Sequence, residues 1–74
     1  MAVYPHKIRV ADNVRAEMAR GKRTQDTLAK SIGMTQQALS RRLSGRTPFT
    51  IGELQRIALV LDVSLVDLVG EAVA

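Results

Sequence analysis

The sequence predicts an all-α protein, a compact bundle of about five short helices. Apolar residues recur at helical spacing in segment after segment, and no segment of useful length alternates with the period of a β-strand. Aromatic residues make up only 3% of the chain, which disfavours a β-sandwich or barrel. The connections between the predicted helices are short, so the helices must pack around one small core.

The length and composition of the chain limit it to one small domain. Its 74 residues predict a single domain over residues 1–74, with a flexible arm at 1–5 and a frayed tail at 70–74. The absence of cysteine excludes a disulfide and a thiolate metal site. No apolar run approaches the roughly 18 residues of a membrane span. The initial methionine and the lack of a trailing linker favour a complete chain.

Two helices are predicted in the first half of the chain, each ended by a glycine. The first covers about residues 6–20 and ends at Gly21. Thr24 caps the second through its hydroxyl, and Gly33 stops that helix in the left-handed conformation. The apolar stripe of the first helix is Ile8, Ala11, Val14 and Met18.

A third helix follows after only a few residues. Thr35 is its cap, the helix covers about residues 36–44, and Gly45 ends it. Pro48 prevents the helix from continuing, because proline lacks the backbone N–H and restricts the residue before it. The second and third helices are therefore joined by a tight turn, and such a pair crosses at a steep angle.

Two more helices complete the predicted bundle. Thr50 opens the fourth with a capping box, because Glu53 lies three residues further on. Ser64 caps a short fifth helix. Gly52 lies in the first turn of the fourth helix, where glycine costs stability.

Positive charge is concentrated in the middle of the chain. The formal net charge is +4, but residues 20–46 contain seven Lys and Arg against one Asp. Residues 47–74 contain one Arg against four acids. The basic middle segment suits a polyanionic partner, whereas the acidic last third is a poor surface for a phosphate backbone. An ordinary solvated basic surface is the alternative interpretation of the same charges.

The third predicted helix carries a row of polar side chains opposite its apolar residues. With about 100° per residue, Leu39 and Leu43 share one side of the helix. The opposite row contains no acid and no large hydrophobic residue, and Gln36 lies close enough to join it. Glutamine can bond bidentately to adenine and arginine to guanine. We therefore interpret the row as a surface that reads base edges, in preference to the alternative that it is an ordinary solvated helix face. The row consists of Gln37, Ser40, Arg41 and Ser44.

The segment TQDTLAKSIGMTQQALSRRLSG, residues 24–45, resembles the helix-turn-helix of the phage repressor and Cro family. The following RTPFTIGELQRIALVLDVSLVDLV resembles the fourth and fifth helices of that family, so the resemblance covers the chain from about Val10 to Leu68. The sequence as a whole also resembles small regulators of actinobacteria and their phages. The resemblance implies that the protein binds double-stranded DNA as a transcriptional regulator, a repressor or Cro-like protein.

The resemblance also implies roles for individual residues. The third helix is expected to lie in the major groove, with the N-terminus of the second helix against a phosphate. The expected base readers are Gln36, Gln37, Ser40 and Arg41. The expected phosphate contacts are Thr24, Gln25, Arg42, Arg46 and Thr47, with Lys22 and Arg23 as electrostatic neighbours.

One position departs from the family pattern. The family usually has an apolar residue three positions after Leu39, where this chain has Arg42, and Leu43 is expected to take over the packing. Arg42 is then expected to extend over the edge of the core towards a phosphate. The division of labour between Arg41 and Arg42 stays open at this point.

A single unit of this kind reads few base pairs, so two copies on a palindromic or repeated operator are expected. Leu65, Val66 and Val69 are candidate contacts of such a homodimer, with packing in the core as the alternative, which is favoured for Leu65. We expect the protein in the cytoplasm of a bacterium or of a phage-infected host, associated with the nucleoid.

A protein-interaction module, such as an antitoxin or a partner of a regulator, is the alternative function. The acidic and apolar last third would then be its main surface. An enzyme is not expected, because the chain has one histidine and no constellation of titratable groups. We expect no cofactor, no metal, no small-molecule ligand and no membrane association.

Overall fold

A computed structural model describes residues 5–70 of the chain, and these residues form five α-helices and no strand. The predicted all-α fold class is confirmed. Residues 1–4 and 71–74, which contain most of the expected arm and tail, lie outside the described residues. The helices are α1 (Pro5–Arg20), α2 (Gln25–Ile32), α3 (Gln36–Leu43), α4 (Ile51–Leu61) and α5 (Leu65–Val69).

The first helix begins one residue earlier than its apolar pattern indicates. The sequence predicts a flexible arm over residues 1–5, but Pro5 is the first residue of α1. Proline is well suited to a first helical position, because its φ angle is already helical and the N–H that it lacks would have no partner there. The other boundary of α1, Arg20, agrees with the sequence.

Threonine caps begin three of the helices as predicted. The hydroxyl oxygens of Thr24, Thr35 and Thr50 each accept a hydrogen bond from the backbone N–H three residues further on, at 3.1 Å. The capping box of α4 is also present, since the Thr50 backbone N–H donates to the Glu53 carboxylate at 2.9 Å. These bonds satisfy backbone donors that have no partner inside the helix.

The turn between α2 and α3 depends on Gly33. Its φ of 72° and ψ of 35° are left-handed, as the sequence predicts. The Met34 backbone N–H donates to the Ala29 carbonyl at 2.9 Å, which closes the end of α2. Thr35 then caps α3 directly, so α2 and α3 pack against each other as a helix-turn-helix.

The five helices enclose one apolar core. Helix α1 packs on α3 and α5, α2 packs on α3 and α4, and α4 packs on α5. The fully buried side chains with the largest volume are Leu28, Leu39, Ile57, Leu68 and Val14. Every helix contributes one of them, so all five helices take part in the same core.

Polar side chains also bind backbone carbonyls of distant helices. The Asn13 side-chain amide of α1 donates to the Leu68 carbonyl of α5 at 2.9 Å. Arg23, in the joint before α2, donates to the Val60 carbonyl near the end of α4 at 3.2 Å. No helix in residues 5–70 combines the length and the apolar character that crossing a membrane needs.

The replacement Gly52→Ala should stabilise the protein. Gly52 has no positive φ, and a Cβ at this position would meet only the Thr50 hydroxyl oxygen, at 4.0 Å. Alanine then gains helix propensity without a clash. We expect the free energy of unfolding, measured by urea denaturation, to rise by about 0.5–1 kcal/mol.

The matched control is Gly33→Ala. A Cβ on Gly33 meets nothing within 4 Å, but the φ of 72° disfavours any residue with a side chain. This variant should lose about 1 kcal/mol through backbone strain alone. Equal effects of the two replacements would contradict the assignment of Gly33 as the conformationally required glycine.

Candidate nucleic-acid interface

Helix α3 exposes one polar edge, which we define as Gln36, Gln37, Ser40 and Arg41. All four side chains are exposed, whereas Leu39 and Leu43 on the other side of the helix are 0% and 6% exposed. The burial of these two leucines fixes the rotation of α3 about its axis. Leu43 therefore packs as the sequence predicts, and the polar edge faces away from the core.

The N-terminal parts of α2 and α3 meet at a shallow groove. The groove is lined by Gln25, the first residue of α2, together with Gln36, Gln37 and Ser40 of the polar edge. Gln25 is half-buried, and the other three residues are exposed. The structure thus brings one expected phosphate contact next to three expected base readers, with uncharged hydrogen-bonding groups throughout the groove.

The adjacent Arg41 and Arg42 have different environments. Arg41 is exposed, and no hydrogen bond or ion pair holds its side chain within the described part of the chain. The Arg42 side chain is only 19% exposed. Its Nε donates to Glu53 Oε1 at 3.0 Å, and its Nη1 donates to the Ala38 carbonyl at 2.9 Å. The sequence predicts a phosphate contact for Arg42, whereas in this structure its guanidinium binds Glu53 of α4 and the preceding turn of α3.

Glu53 binds Arg42 in addition to the backbone N–H that it caps. Its Oε1 accepts from the Thr50 backbone N–H at 2.9 Å as well as from Arg42, and the side chain is 12% exposed. Burial raises the pKa of Glu53, but the hydrogen bonds from Thr50 and Arg42 and the charge of Arg42 outweigh burial. The pKa therefore lies below its ordinary value of 4.5.

The turn after α3 holds the next two expected phosphate contacts. Gly45 is left-handed, with φ 83°, and the backbone N–H groups of Arg46 and Thr47 both donate to the Arg41 carbonyl, at 3.0 and 3.3 Å. The Arg46 side chain is exposed and that of Thr47 is half-buried. These two backbone hydrogen bonds connect the last turn of α3 to both residues.

The expected phosphate contacts before α2 differ in their surroundings. Lys22 is exposed in a left-handed conformation, with φ 57°. Arg23 is directed to the carbonyl of Val60. Thr24 accepts the capping bond of α2, and its hydroxyl lies 3.0 Å from that of Thr27. Thr24 thus lies beside Gln25 at the start of α2, whereas Arg23 is bound to α4.

Sequence reasoning missed a contact between α1 and the end of α3. Arg15 donates to the carbonyl of Leu43 and also pairs with Asp12. A cation at this position interacts favourably with the negative end of the α3 dipole. The residues are 28 positions apart, so no local pattern could reveal the contact.

The candidate dimer contacts at the C-terminal end are exposed to different degrees. Val66 is 68% exposed, whereas Leu65 and Val69 are partly buried and pack against the core. The alternative favoured for Leu65, packing within the molecule, agrees with this placement. Residues 9–70 contain no group of three or more His, Asp or Glu side chains that could hold a metal ion.

Comparison with known proteins gives one match. Residues 14–68, more than two thirds of the chain, match the model of a family described as helix-turn-helix. The match starts in α1 and ends in α5, so it includes the whole of α2, α3 and α4. No curated protein and no solved structure matches the chain.

The lowered pKa of Glu53 predicts a pH-dependent contribution to stability. Because the folded pKa is depressed, this contribution is fully present above the ordinary value of 4.5 and is lost as the pH falls through the folded pKa. Urea unfolding of the wild type between about pH 6 and about pH 3 should therefore show a steeper loss of unfolding free energy than Glu53→Gln. Parallel pH profiles of the two proteins would contradict the assignment.

Proposed function

Because the chain belongs to the Cro/C1-type helix-turn-helix family, a family of DNA-binding domains rather than of enzymes, we propose that it regulates transcription by binding a specific duplex site. In this proposal α3 is the recognition helix and lies in the major groove. The role is that of a repressor or Cro-like protein, acting in the cytoplasm of a bacterium or of a phage-infected host.

The observation that carries the proposal is the polar edge of α3. Four exposed side chains with several donors and acceptors lie side by side, and no acid interrupts them. The side-chain amide of Gln36 or of Gln37 can bond both N6 and N7 of one adenine. The Arg41 guanidinium can bond both O6 and N7 of one guanine. Because Arg41 has no partner in the described part of the protein, it can reach a base without first breaking an ion pair.

Groups on both sides of the polar edge are suited to phosphates. At the start of α2, Thr24 and Gln25 lie where free backbone N–H groups and the helix dipole favour an anion. After α3, the exposed Arg46 and the neighbouring Thr47 can contact a second phosphate. Contacts on both sides would hold α3 in one register along the groove.

We further propose that two copies bind one operator with half-sites about 34 Å apart. The surface that favours this is the exposed Val66 of α5, flanked by the partly buried Leu65 and Val69. An exposed valine next to the core can add apolar contact between copies without rearrangement of the fold.

Substitutions on the polar edge should reduce discrimination between DNA sites. A duplex selected from random-sequence DNA by the wild type serves as the specific site. Gln37→Ala and Arg41→Ala should each lower the preference for this site over a random duplex by about 1–3 kcal/mol. Binding is measured by fluorescence anisotropy at several salt concentrations.

Arg46→Ala is the matched control for a phosphate contact. It should weaken binding to both duplexes alike and reduce the salt slope by about 1. If Gln37→Ala weakened the specific and random duplexes equally, Gln37 would not be a base reader. If the wild type selected no sequence at all, the proposed function would be wrong.

The replacement Val66→Asp should disrupt pairing of copies on DNA. A charge at the exposed valine opposes apolar contact between copies but leaves the buried core unchanged. We expect the two-site complex to lose cooperativity while binding to an isolated half-site stays the same, measured by gel shift. Leu59→Asp, at another exposed apolar residue, is the control. Loss of half-site binding in Val66→Asp would contradict the role.

A further inference from the structure

The ion pair between Arg42 and Glu53 connects two parts of the proposed interface. Arg42 belongs to α3, which carries the polar edge, and Glu53 belongs to the first turn of α4. Between them lies the turn that contains Arg46 and Thr47, the proposed phosphate contacts. The contact therefore spans the segment that joins base reading to phosphate binding.

The geometry of this ion pair is held at both ends. The Arg42 guanidinium donates through Nη1 to the Ala38 carbonyl of its own helix and through Nε to Glu53. Glu53 uses the same oxygen, Oε1, to accept from the Thr50 backbone N–H. A shift of α4 against α3 would break at least one of these bonds, so the pair holds the two helices in one relative position.

The burial of the pair argues against a role of Arg42 at the DNA surface. The side chains of Arg42 and Glu53 are 19% and 12% exposed, whereas the neighbouring Arg41 is exposed and without a partner in the described residues. Moving the Arg42 guanidinium to a phosphate would leave Glu53 with the Thr50 N–H as its remaining partner. Partly buried pairs add little net stability, but they can define a single arrangement of the elements that they join.

We propose that Arg42 is a positioning residue, which through Glu53 sets α3 relative to the phosphate-contacting turn and so raises discrimination between DNA sites. This inference rests on the proposed function. It assigns the two adjacent arginines different roles: Arg41 contacts DNA, and Arg42 acts through the position of α3. Under this proposal Glu53 favours specific binding by holding Arg42 in place, although its negative charge by itself would repel DNA.

Arg42→Met and Glu53→Gln test the proposal with the full chain. Both variants remove one charge of the pair with little change of volume, and Glu53→Gln keeps a side-chain oxygen for the Thr50 N–H. Each variant should lower the affinity ratio between the selected duplex and a random duplex of equal length by roughly tenfold, within the range of coupled neighbours. The double variant should lose no more than the worse single variant, because each single variant already removes the attraction between the two charges.

The salt slope separates positioning from phosphate binding. Arg42→Met should keep the wild-type dependence of log affinity on log salt, because Arg42 neutralises no phosphate. Arg46→Met, the same replacement at a proposed phosphate contact, should reduce the slope by about 1. Circular dichroism melts confirm that all variants are folded, and Arg42→Lys, which keeps the charge opposite Glu53, should restore part of the lost ratio.

Three results would overturn the inference while leaving the proposed function intact. The first is a reduced salt slope with equal weakening of both duplexes in Arg42→Met, which would make Arg42 a phosphate contact. The second is an unchanged affinity ratio in Arg42→Met and Glu53→Gln. The third is tighter and more salt-sensitive binding of both duplexes by Glu53→Gln, the result of removing a charge that repels DNA. A wild type that selects no site would overturn both proposals.

Discussion

The outward direction of the polar edge depends on the burial of Leu39 and Leu43 on the other side of α3. Both leucines pack into the core that all five helices share, so α3 cannot rotate without exposing them. The left-handed Gly33 makes this packing possible, because it lets α2 turn sharply and bring Leu28 to the same core. The identity of the groups that face a ligand is therefore decided by apolar contacts on the hidden side of the helix.

The two ends of α3 are held by different kinds of interaction. The N-terminal end is held by a local interaction, the hydrogen bond from the Ala38 N–H to the capping hydroxyl of Thr35. This end lies beside Gln25 at the shallow groove. The C-terminal end is held by two tertiary hydrogen bonds. Arg15 of α1 donates to the Leu43 carbonyl, and Arg42 donates to Glu53 of α4. Cations near a helix C-terminus interact favourably with its dipole, so both arginines suit this end. A helix held in this way reaches a ligand already in position, which reduces the entropy lost on binding.

Most of the fold could be predicted from the sequence because its signals are local. A threonine cap acts within three residues and the left-handed glycine within a single turn, so Thr24, Thr35, Thr50 and Gly33 were identified from their neighbours. The polar edge could also be predicted, since helical periodicity relates it to the buried leucines. The partners of Arg15 and Arg42 could not, because they depend on how helices pack. Glu53 shows both cases: its bond to the Thr50 N–H follows from the local sequence, whereas its bond to Arg42 of α3 depends on packing.

The placement of α3 on DNA can be observed directly by NMR of the protein bound to a duplex that it selects. Thymine methyl groups and cytosine H5 protons lie in the major groove, within reach of any side chain that reads base edges there. We expect nuclear Overhauser contacts from these protons to the side chains of Gln37 and Arg41. Contacts confined to sugar or minor-groove protons, or duplex protons that meet only α5, would show that the polar edge of α3 is not the reading surface.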